Sequence, residues 1–238
     1  MKPLASDTAM VLAAGLGKRM RPLTASQPKP MVRVAGKPLI DHALDRLEAA
    51  GVTKAVVNIH YLADALVAHL KHREVPAVTI SDERELLLET GGGMVRASPL
   101  LPDPFFCVNS DNVWLDGPRD AFHDLSQAWT PKRMDALLLL TPHTGTANFL
   151  GKGDFHMDGA GRLTRRRSGR IAPFVFTGIQ LVAKRLLRDP PEGPFSTNLL
   201  WDRAIEEERL FGVVFTGRWF EVGTPQAIAP TEAALAGA

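Results

Sequence analysis

The sequence predicts an α/β protein: a three-layer sandwich with a mainly parallel, twisted sheet and a smaller lobe closing over the sheet's carboxyl edge. Two observations carry this. Through residue 140, short apolar runs alternate with segments of helical period, as in a doubly wound sheet. Several of those runs stop abruptly at glycine or polar residues, and ligands of such sheets bind outside the carboxyl ends of the strands.

Thr8 to Ala13 is short, apolar and followed by Gly15, a buried strand. Pro38 to Ala50 sets Leu39, Ile40, Ala43, Leu44 and Leu47 at helical spacing, with proline in the first turn and Gly51 just past the end. Ala55 to Ile59 is a second strand, Leu62 to Leu70 a helix and Ala77 to Ile80 a third strand. Gly91 to Gly93 break the chain, and Met94 to Leu100 forms a short helix. Pro104 to Asn109 is a fourth strand running directly into Ser110 and Asp111; Asp120 to Trp129 is helical and Asp135 to Leu140 a fifth strand. The pattern then changes. Phe155 to Leu163, with Asp158-Gly159, reads as a hairpin, Pro173 to Val182 as a long strand and Asn198 to Glu207 as an amphipathic helix. Leu210 to Phe215 and Arg218 to Val222 read as a final strand pair around Thr216-Gly217, and Thr224 to Leu235 as a terminal helix bent at Pro230.

No linker, low-complexity tract or internal repeat interrupts the chain. A single domain is expected: a core over about residues 1–140, a lobe over about 141–222 and the terminal helix over 223–238. With 45% hydrophobic and 23% charged residues, the 238-residue chain has the composition of a soluble globular protein able to bury a sizeable core. A formal net charge of +2 makes no electrostatic case for nucleic acid. Cys107 is a single cysteine inside an apolar run, a pattern that suits a reducing compartment. Neither a leader-like apolar region near Met1 nor a run of membrane-spanning length is present. These features point to a cytoplasmic protein; a monomer or small homo-oligomer acting on small molecules is expected, the sequence leaving the oligomeric state open. His60, His69 and His72 form no metal-ligand spacing with the cysteine, and Trp114, Trp129 and Trp201 read as core residues.

Met10 to Met31 is the segment richest in chemical signal. A strand delivers its end to Gly15 and Gly17, two cations follow at Lys18 and Arg19, and Lys29 stands between prolines. The loop is not a P-loop, because Met20 stands where a glycine should precede Lys and Ser/Thr. The missing third glycine at position 20 also excludes the dinucleotide fingerprint.

The longer stretch LAAGLGKRMRPLTASQPKPMVRVAGKPLI resembles the signature of the sugar-1-phosphate nucleotidyltransferases, L-A-A-G-x-G-x-R-M-x-P-L-T-x-x-x-P-K-P. The resemblance continues through Leu88-Glu89-Thr90-Gly91-Gly92-Gly93, Asn109-Ser110-Asp111 and Trp219 to Thr224. Within that family the chain is similar to the N-acetylmuramate-1-phosphate uridylyltransferases of cell-wall recycling, which carry L-E-T-G-G-G and W-x-D-V-G-T segments. The resemblance implies a Rossmann-like nucleotidyltransferase fold. It further implies Mg²⁺-dependent transfer of a nucleotidyl group from an NTP, here UTP, to a sugar 1-phosphate, here N-acetyl-α-muramate 1-phosphate. Mannose-1-phosphate guanylyltransferase is the alternative within the same chemistry, choline-phosphate cytidylyltransferase a more distant one, and a catalytically silent nucleotide-binding regulator the alternative outside it.

Such a transfer is in-line attack by an existing phosphate anion, so the site needs cations, metal and backbone donors more than a general base. The resemblance assigns Arg19, Lys29 and Asp111 to catalysis, and Asp111 with Glu221 to Mg²⁺. It assigns Leu12, Ala13, Ala14, Gly15, Gly17, Thr90, Gly91 and Gly92 to the nucleotide, with Glu83 (Glu85 nearby) as acceptor for the base. Asn109, Gly153, Asp154, Thr177 and Asn198 are assigned to the sugar, the lobe's Gly151 to Phe155 matching the subgroup's G-R-G-D-F. Two positions depart from the family pattern: Ser110 where it has glycine, and Glu221, one methylene longer than the usual aspartate. One arginine of the run Arg165, Arg166, Arg167 and Arg170 is expected to meet the carboxylate of an acidic sugar.

Overall fold

The structure, a computed structural model, describes residues 3–146 and 151–237. In chain order its elements are β1 (Thr8–Leu12), β2 (Arg33–Val34), β3 (Lys37–Pro38), α1 (Leu39–Ala49), β4 (Lys54–Ile59), α2 (Ala63–Leu70) and β5 (Ala77–Asp82). Then follow α3 (Glu89–Ala97), β6 (Phe105–Asn109), β7 (Asn112–Leu115), α4 (Ala121–Ala128), β8 (Ala136–Pro142), β9 (Phe155–Met157) and β10 (Leu163–Arg165). The chain closes with β11 (Phe174–Val182), α5 (Thr197–Glu206), β12 (Leu210–Val214), β13 (Arg218–Glu221) and α6 (Ile228–Ala236).

Among the described residues nine strands form one sheet, with the order β12-β8-β11-β6-β1-β4-β5 and the β9–β10 hairpin joined to the start of β11. In that seven-strand order only β11 runs antiparallel to its neighbours. The sheet is therefore mainly parallel, as expected. β1 lies between β4 and β6, with Met10 opposite both Val56 and Cys107.

Alternation along the strands builds the two outer layers. Ala9, Val11, Phe106, Val108, Leu137 and Leu139 face a core shared with Ile40 and Leu47 of α1, Leu66 of α2 and Phe122 of α4. Met10, Cys107, Leu138 and Leu140 face the opposite core, closed by Met94 of α3 and by Leu200 and Trp201 of α5. Burying each such large side chain contributes roughly 1.5–3 kcal/mol. A third cluster joins Val34, Leu39, Val113, Phe220 and Val222 beneath α6.

Helix ends follow the local chemistry. The Asp120 carboxylate caps α4 by accepting from the Phe122 and His123 N–H groups, and the Ser196 hydroxyl accepts from the Asn198 N–H to start α5. Pro230 lies in the first turn of α6, where a missing N–H costs no helical hydrogen bond.

Three expectations need correction. Gly91 to Gly93 do not break the chain; they are buried in the first turns of α3. A Cβ on Gly91 would lie 2.4 Å from the Phe195 ring, so glycine here serves a close approach rather than a loop. Leu210–Val214 and Arg218–Glu221 do not pair with each other. β12 joins the main sheet parallel to β8, while β13 pairs antiparallel with β7, a strand the sequence reading missed. The ribbon they form is anchored by apolar burial: Trp114 packs edge-on against Phe122 with ring centres 6.1 Å apart, and the Trp219 indole N–H donates to the Thr177 carbonyl at 2.8 Å. Finally, β11 and β12 are strands of the central sheet, not of a lobe over it. The hairpin and helix expectations hold within a few residues.

Cys107 sits in the middle of the sheet at 1% exposure, and burial pushes its thiol up to about 12. A thiol this protonated and enclosed reacts only after unfolding. Disulfide-exchange labelling at about pH 8 should therefore proceed at the global unfolding rate and be complete in denaturant; rapid labelling of the native protein would contradict this placement.

Candidate active site

The parallel strands β1 and β6 end side by side, and a divided cleft opens at their carboxyl ends. One compartment, of about 550 Å³, is walled by residues 12–19, Asn58, Lys29 and Thr90. The other, of about 370 Å³, is walled by Asp154, Arg165, Phe176, Gly178, Asn198, Trp201 and Glu221. Leu12, Arg19, Thr90, Asn109, Asp111 and Ser196 border both, so Asp111 stands at the junction.

The loop after β1 is held by side-chain hydroxyls that bind its backbone. Gly17 adopts φ +60°, and a Cβ there would lie 3.0 Å from the Lys29 Cβ and from the Thr24 methyl. The Thr24 hydroxyl donates to the Gly17 carbonyl at 2.8 Å, and the Tyr61 hydroxyl donates to the Thr24 carbonyl at 3.0 Å. Lys29 is thereby pressed under the loop. Its ammonium reaches Asp111 at 2.5 Å, with side chains 13% and 24% exposed.

Asp111 and Glu221 come together through the β7–β13 ribbon. Glu221 pairs in register with Asn112, and the Val222 N–H donates to the Asp111 carbonyl at 3.1 Å. Arg19 approaches Glu221 at 3.3 Å, so each carboxylate faces one cation of the amino-terminal segment. The Arg19 pair, with its guanidinium largely in solvent, contributes little to stability. Among the described residues no cluster of three or more histidines, cysteines or carboxylates could form a metal cage. A pair of hard oxygen donors already facing cations fits a Mg²⁺ ion that takes its remaining ligands from phosphates and water.

At the other end of the first compartment the expected base acceptor lies elsewhere. Glu83 is 2% exposed and does not line the cleft. Its carboxylate accepts from Asn58 Nδ2 at 2.8 Å and from the Leu88 N–H at 3.3 Å, while Asn58 Oδ1 accepts from the Ala13 N–H at 2.7 Å. Asn58 is the side chain that faces the cleft, and Glu83 orients it from behind. The signal was present as a lone asparagine in an otherwise apolar strand. Burial raises the Glu83 pKa, partly opposed by the hydrogen bond from Asn58. Gly91 and Gly92 do not reach the cleft either, since both N–H groups donate to the Phe195 carbonyl. Ala13, Ala14, Gly15 and Gly17 line it as expected. Thr90 does so with its hydroxyl oxygen accepting from the Thr197 N–H at 2.9 Å.

In the second compartment Asn109, Asp154 and Asn198 lie where expected. The Phe176 N–H donates to Asp154 Oδ2 at 2.9 Å, tying β9 to β11. Thr177 is fully buried with its hydroxyl turned to the Leu139 carbonyl; its neighbour Gly178 forms the wall instead. Gly153 is buried behind the compartment, its carbonyl accepting from Arg166 Nε. Trp201, read only as a core residue, also forms part of this wall.

A sheet edge that gathers loop amides, cations and a carboxylate pair handles phosphate groups. This places the protein among the α/β enzymes whose substrates carry them. Comparison with known proteins narrows the class. The nucleotidyl transferase family model matches residues 8–149. The N-acetylmuramate alpha-1-phosphate uridylyltransferase of Caulobacter vibrioides is 46% identical over 237 residues, covering 98% of each chain. That of Neisseria meningitidis serogroup B is 35% identical over 240 residues, covering 97% of this chain and 98% of its own. The solved structure of HddC from Yersinia pseudotuberculosis, complexed with GMP-PN, shares the fold with a TM-score of 0.76 at 20% identity, covering 96% of this chain and 99% of its own. The chain belongs to the nucleotidyl transferase family.

The Glu83 network generates a pH-dependent prediction. A carboxyl whose pKa is raised on folding stabilises the fold most while protonated, and that contribution is lost as pH rises through its folded value. Glu83→Gln keeps an acceptor for Asn58 but cannot ionise. In denaturant titrations from about pH 4 to about pH 8 it should gain stability relative to wild type as the pH rises above the unfolded glutamate value. Glu83→Ala strands the Asn58 amide and should cost about 1–3 kcal/mol. A Gln variant whose difference from wild type is independent of pH would contradict the buried carboxylate.

Proposed function

We propose that the protein transfers the uridylyl group of UTP to N-acetyl-α-muramate 1-phosphate, releasing pyrophosphate, with Mg²⁺ as cofactor, as a soluble cytoplasmic enzyme of cell-wall recycling. The observation that carries this reading is the meeting of Lys29, Asp111, Arg19 and Glu221 where the two compartments join. The names of the two similar relatives supply the substrates. The first compartment takes the nucleotide, with residues 13–17 and Asn58 at the base and ribose; the second takes the sugar.

An oxygen of the sugar 1-phosphate attacks the α-phosphorus of UTP as the bond to the β-phosphate oxygen breaks and pyrophosphate leaves. The attacking oxygen is already anionic, so no proton has to be removed. Lys29 neutralises the phosphates of both substrates at the junction, and Arg19 and the loop amides receive the leaving pyrophosphate. Asp111 and Glu221 would hold Mg²⁺, which supplies charge neutralisation on the phosphate oxygens. In the free protein the two cations balance these carboxylates; substrate phosphates that draw the cations away would free both carboxylates to hold the metal. Retention of both carboxylates favours an enzyme over a silent nucleotide-binding regulator.

Pyrophosphate release, measured for the four common ribonucleoside triphosphates against a panel of sugar 1-phosphates, tests the reading. UTP with N-acetylmuramate 1-phosphate should be the best pair. GTP with mannose 1-phosphate as the best pair would transfer the assignment to guanylyl chemistry, and no release from any pair would leave a regulator. Asp111→Asn should lower kcat/KM by about 100-fold or more, the scale of losing one charge-stabilising contact. Glu221→Asp, which restores the family's residue, should stay within about tenfold of wild type while Glu221→Gln does not.

A further inference from the structure

Of Arg165, Arg166, Arg167 and Arg170, only Arg165 lines the second compartment. Arg166 is spent on the Gly153 and Arg170 carbonyls, and Arg167 and Arg170 are exposed outside it. Arg165 is fixed on three sides. Its Nε donates to Asp202 Oδ1 at 2.7 Å, and its Nη2 donates to the Asn198 carbonyl at 3.1 Å and side-chain oxygen at 3.0 Å. Its guanidinium carbon lies 5.0 Å from the Phe155 ring centre and 5.5 Å from that of Trp201. A guanidinium carries five N–H donors. No acceptor among the described residues takes up the two on Nη1.

The rest of the compartment is acidic: Asp111, Asp154 and Glu221 line it, and its other cation, Arg19, is paired with Glu221. With Lys29 paired to Asp111 and Arg19 to Glu221, Arg165 is the cation lining this compartment that keeps donors for a sugar bearing its own carboxylate. Asp202 offsets part of the guanidinium charge, so the fork acts through directional hydrogen bonds from a geometry already set, with little ordering left to be done on binding. Neutral sugars, which offer it only uncharged oxygen acceptors, gain less from such a group.

We infer that Arg165 is the sugar-specificity residue, its unused Nη1 edge receiving the carboxylate of the lactyl ether that distinguishes N-acetylmuramate from N-acetylglucosamine. The inference rests on the proposed function and deepens it.

Steady-state kinetics of the full chain with Mg²⁺ and UTP, on N-acetylmuramate 1-phosphate and N-acetylglucosamine 1-phosphate, test it. Arg165→Gln should raise KM for the muramate substrate by about tenfold or more, the loss of one charge-assisted hydrogen bond. Its kcat and its KM for UTP should stay within about twofold, its loss of kcat/KM should be about tenfold smaller on the glucosamine substrate than on the muramate one, and Arg165→Lys should recover part of the muramate loss. An equal fall for both sugars, or no change in either, would overturn the inference. Should the variant fail to fold, wild type assayed with the lactyl amide of N-acetylmuramate 1-phosphate gives the same information. KM for the amide should approach that for the glucosamine substrate, and an unchanged KM would overturn the inference. A wild-type protein that does not prefer the muramate substrate overturns the proposed function itself, before any variant is made.

Discussion

Asp111 and Glu221 are two like charges brought to one sheet edge by the β7–β13 ribbon. Lys29 and Arg19 of the amino-terminal segment face them at 2.5 and 3.3 Å. Much of the surrounding structure serves to place these four groups. Gly17 lets the loop lie directly on Lys29. Thr24 and Tyr61 hold the loop down. Trp114 and Trp219 pin the ribbon to α4 and β11. A pair that is mutually neutralised yet open to the cleft can exchange partners when phosphates arrive, which a fully buried pair could do only at a large desolvation cost.

The two compartments divide the recognition problem. The first is lined by backbone and by Asn58, whose amide is oriented by buried Glu83, a rigid arrangement suited to a planar ring. The second mixes carboxylates, amides and aromatic rings around Gly178 and Trp201, with Arg165 clamped in one wall. Asp111 borders both, so either ligand reaches the same carboxylate. Thr90 links the halves mechanically, since its hydroxyl oxygen accepts from the first turn of α5 while its backbone belongs to α3.

The order of strands and helices through β8 was legible because apolar runs and helical periods are local properties. The cleft-lining loop after β1 was legible because its residues are contiguous. What the sequence concealed was long-range. The partner of β13 could not be read locally: 103 register positions separate Leu115 from Arg218, and the choice rests on the burial of Trp114 and Trp219. Gly91 to Gly93 looked like loop residues because glycine disfavours helices, and the Phe195 ring that requires the first of them lies far along the chain. Glu83 looked like a ligand-facing acid until burial and the intervening Asn58 were seen. Thr177 and Gly153 failed for a simpler reason. Each is beside a wall residue, and strand alternation or a tight turn puts the neighbour, Gly178 or Asp154, at the cleft.

The exchange of partners at Asp111 is the central claim, and Mn²⁺ paramagnetic resonance tests it most directly. Mn²⁺ would be titrated into the protein alone and with a non-hydrolysable UTP analogue, after subtraction of the analogue's own Mn²⁺ binding. With Lys29 and Arg19 holding the carboxylates, the protein alone should bind Mn²⁺ weakly; the analogue should tighten binding by about tenfold or more, and Asp111→Asn should abolish the gain. Mn²⁺ that binds equally tightly without nucleotide, or a gain that survives Asp111→Asn, would contradict the account.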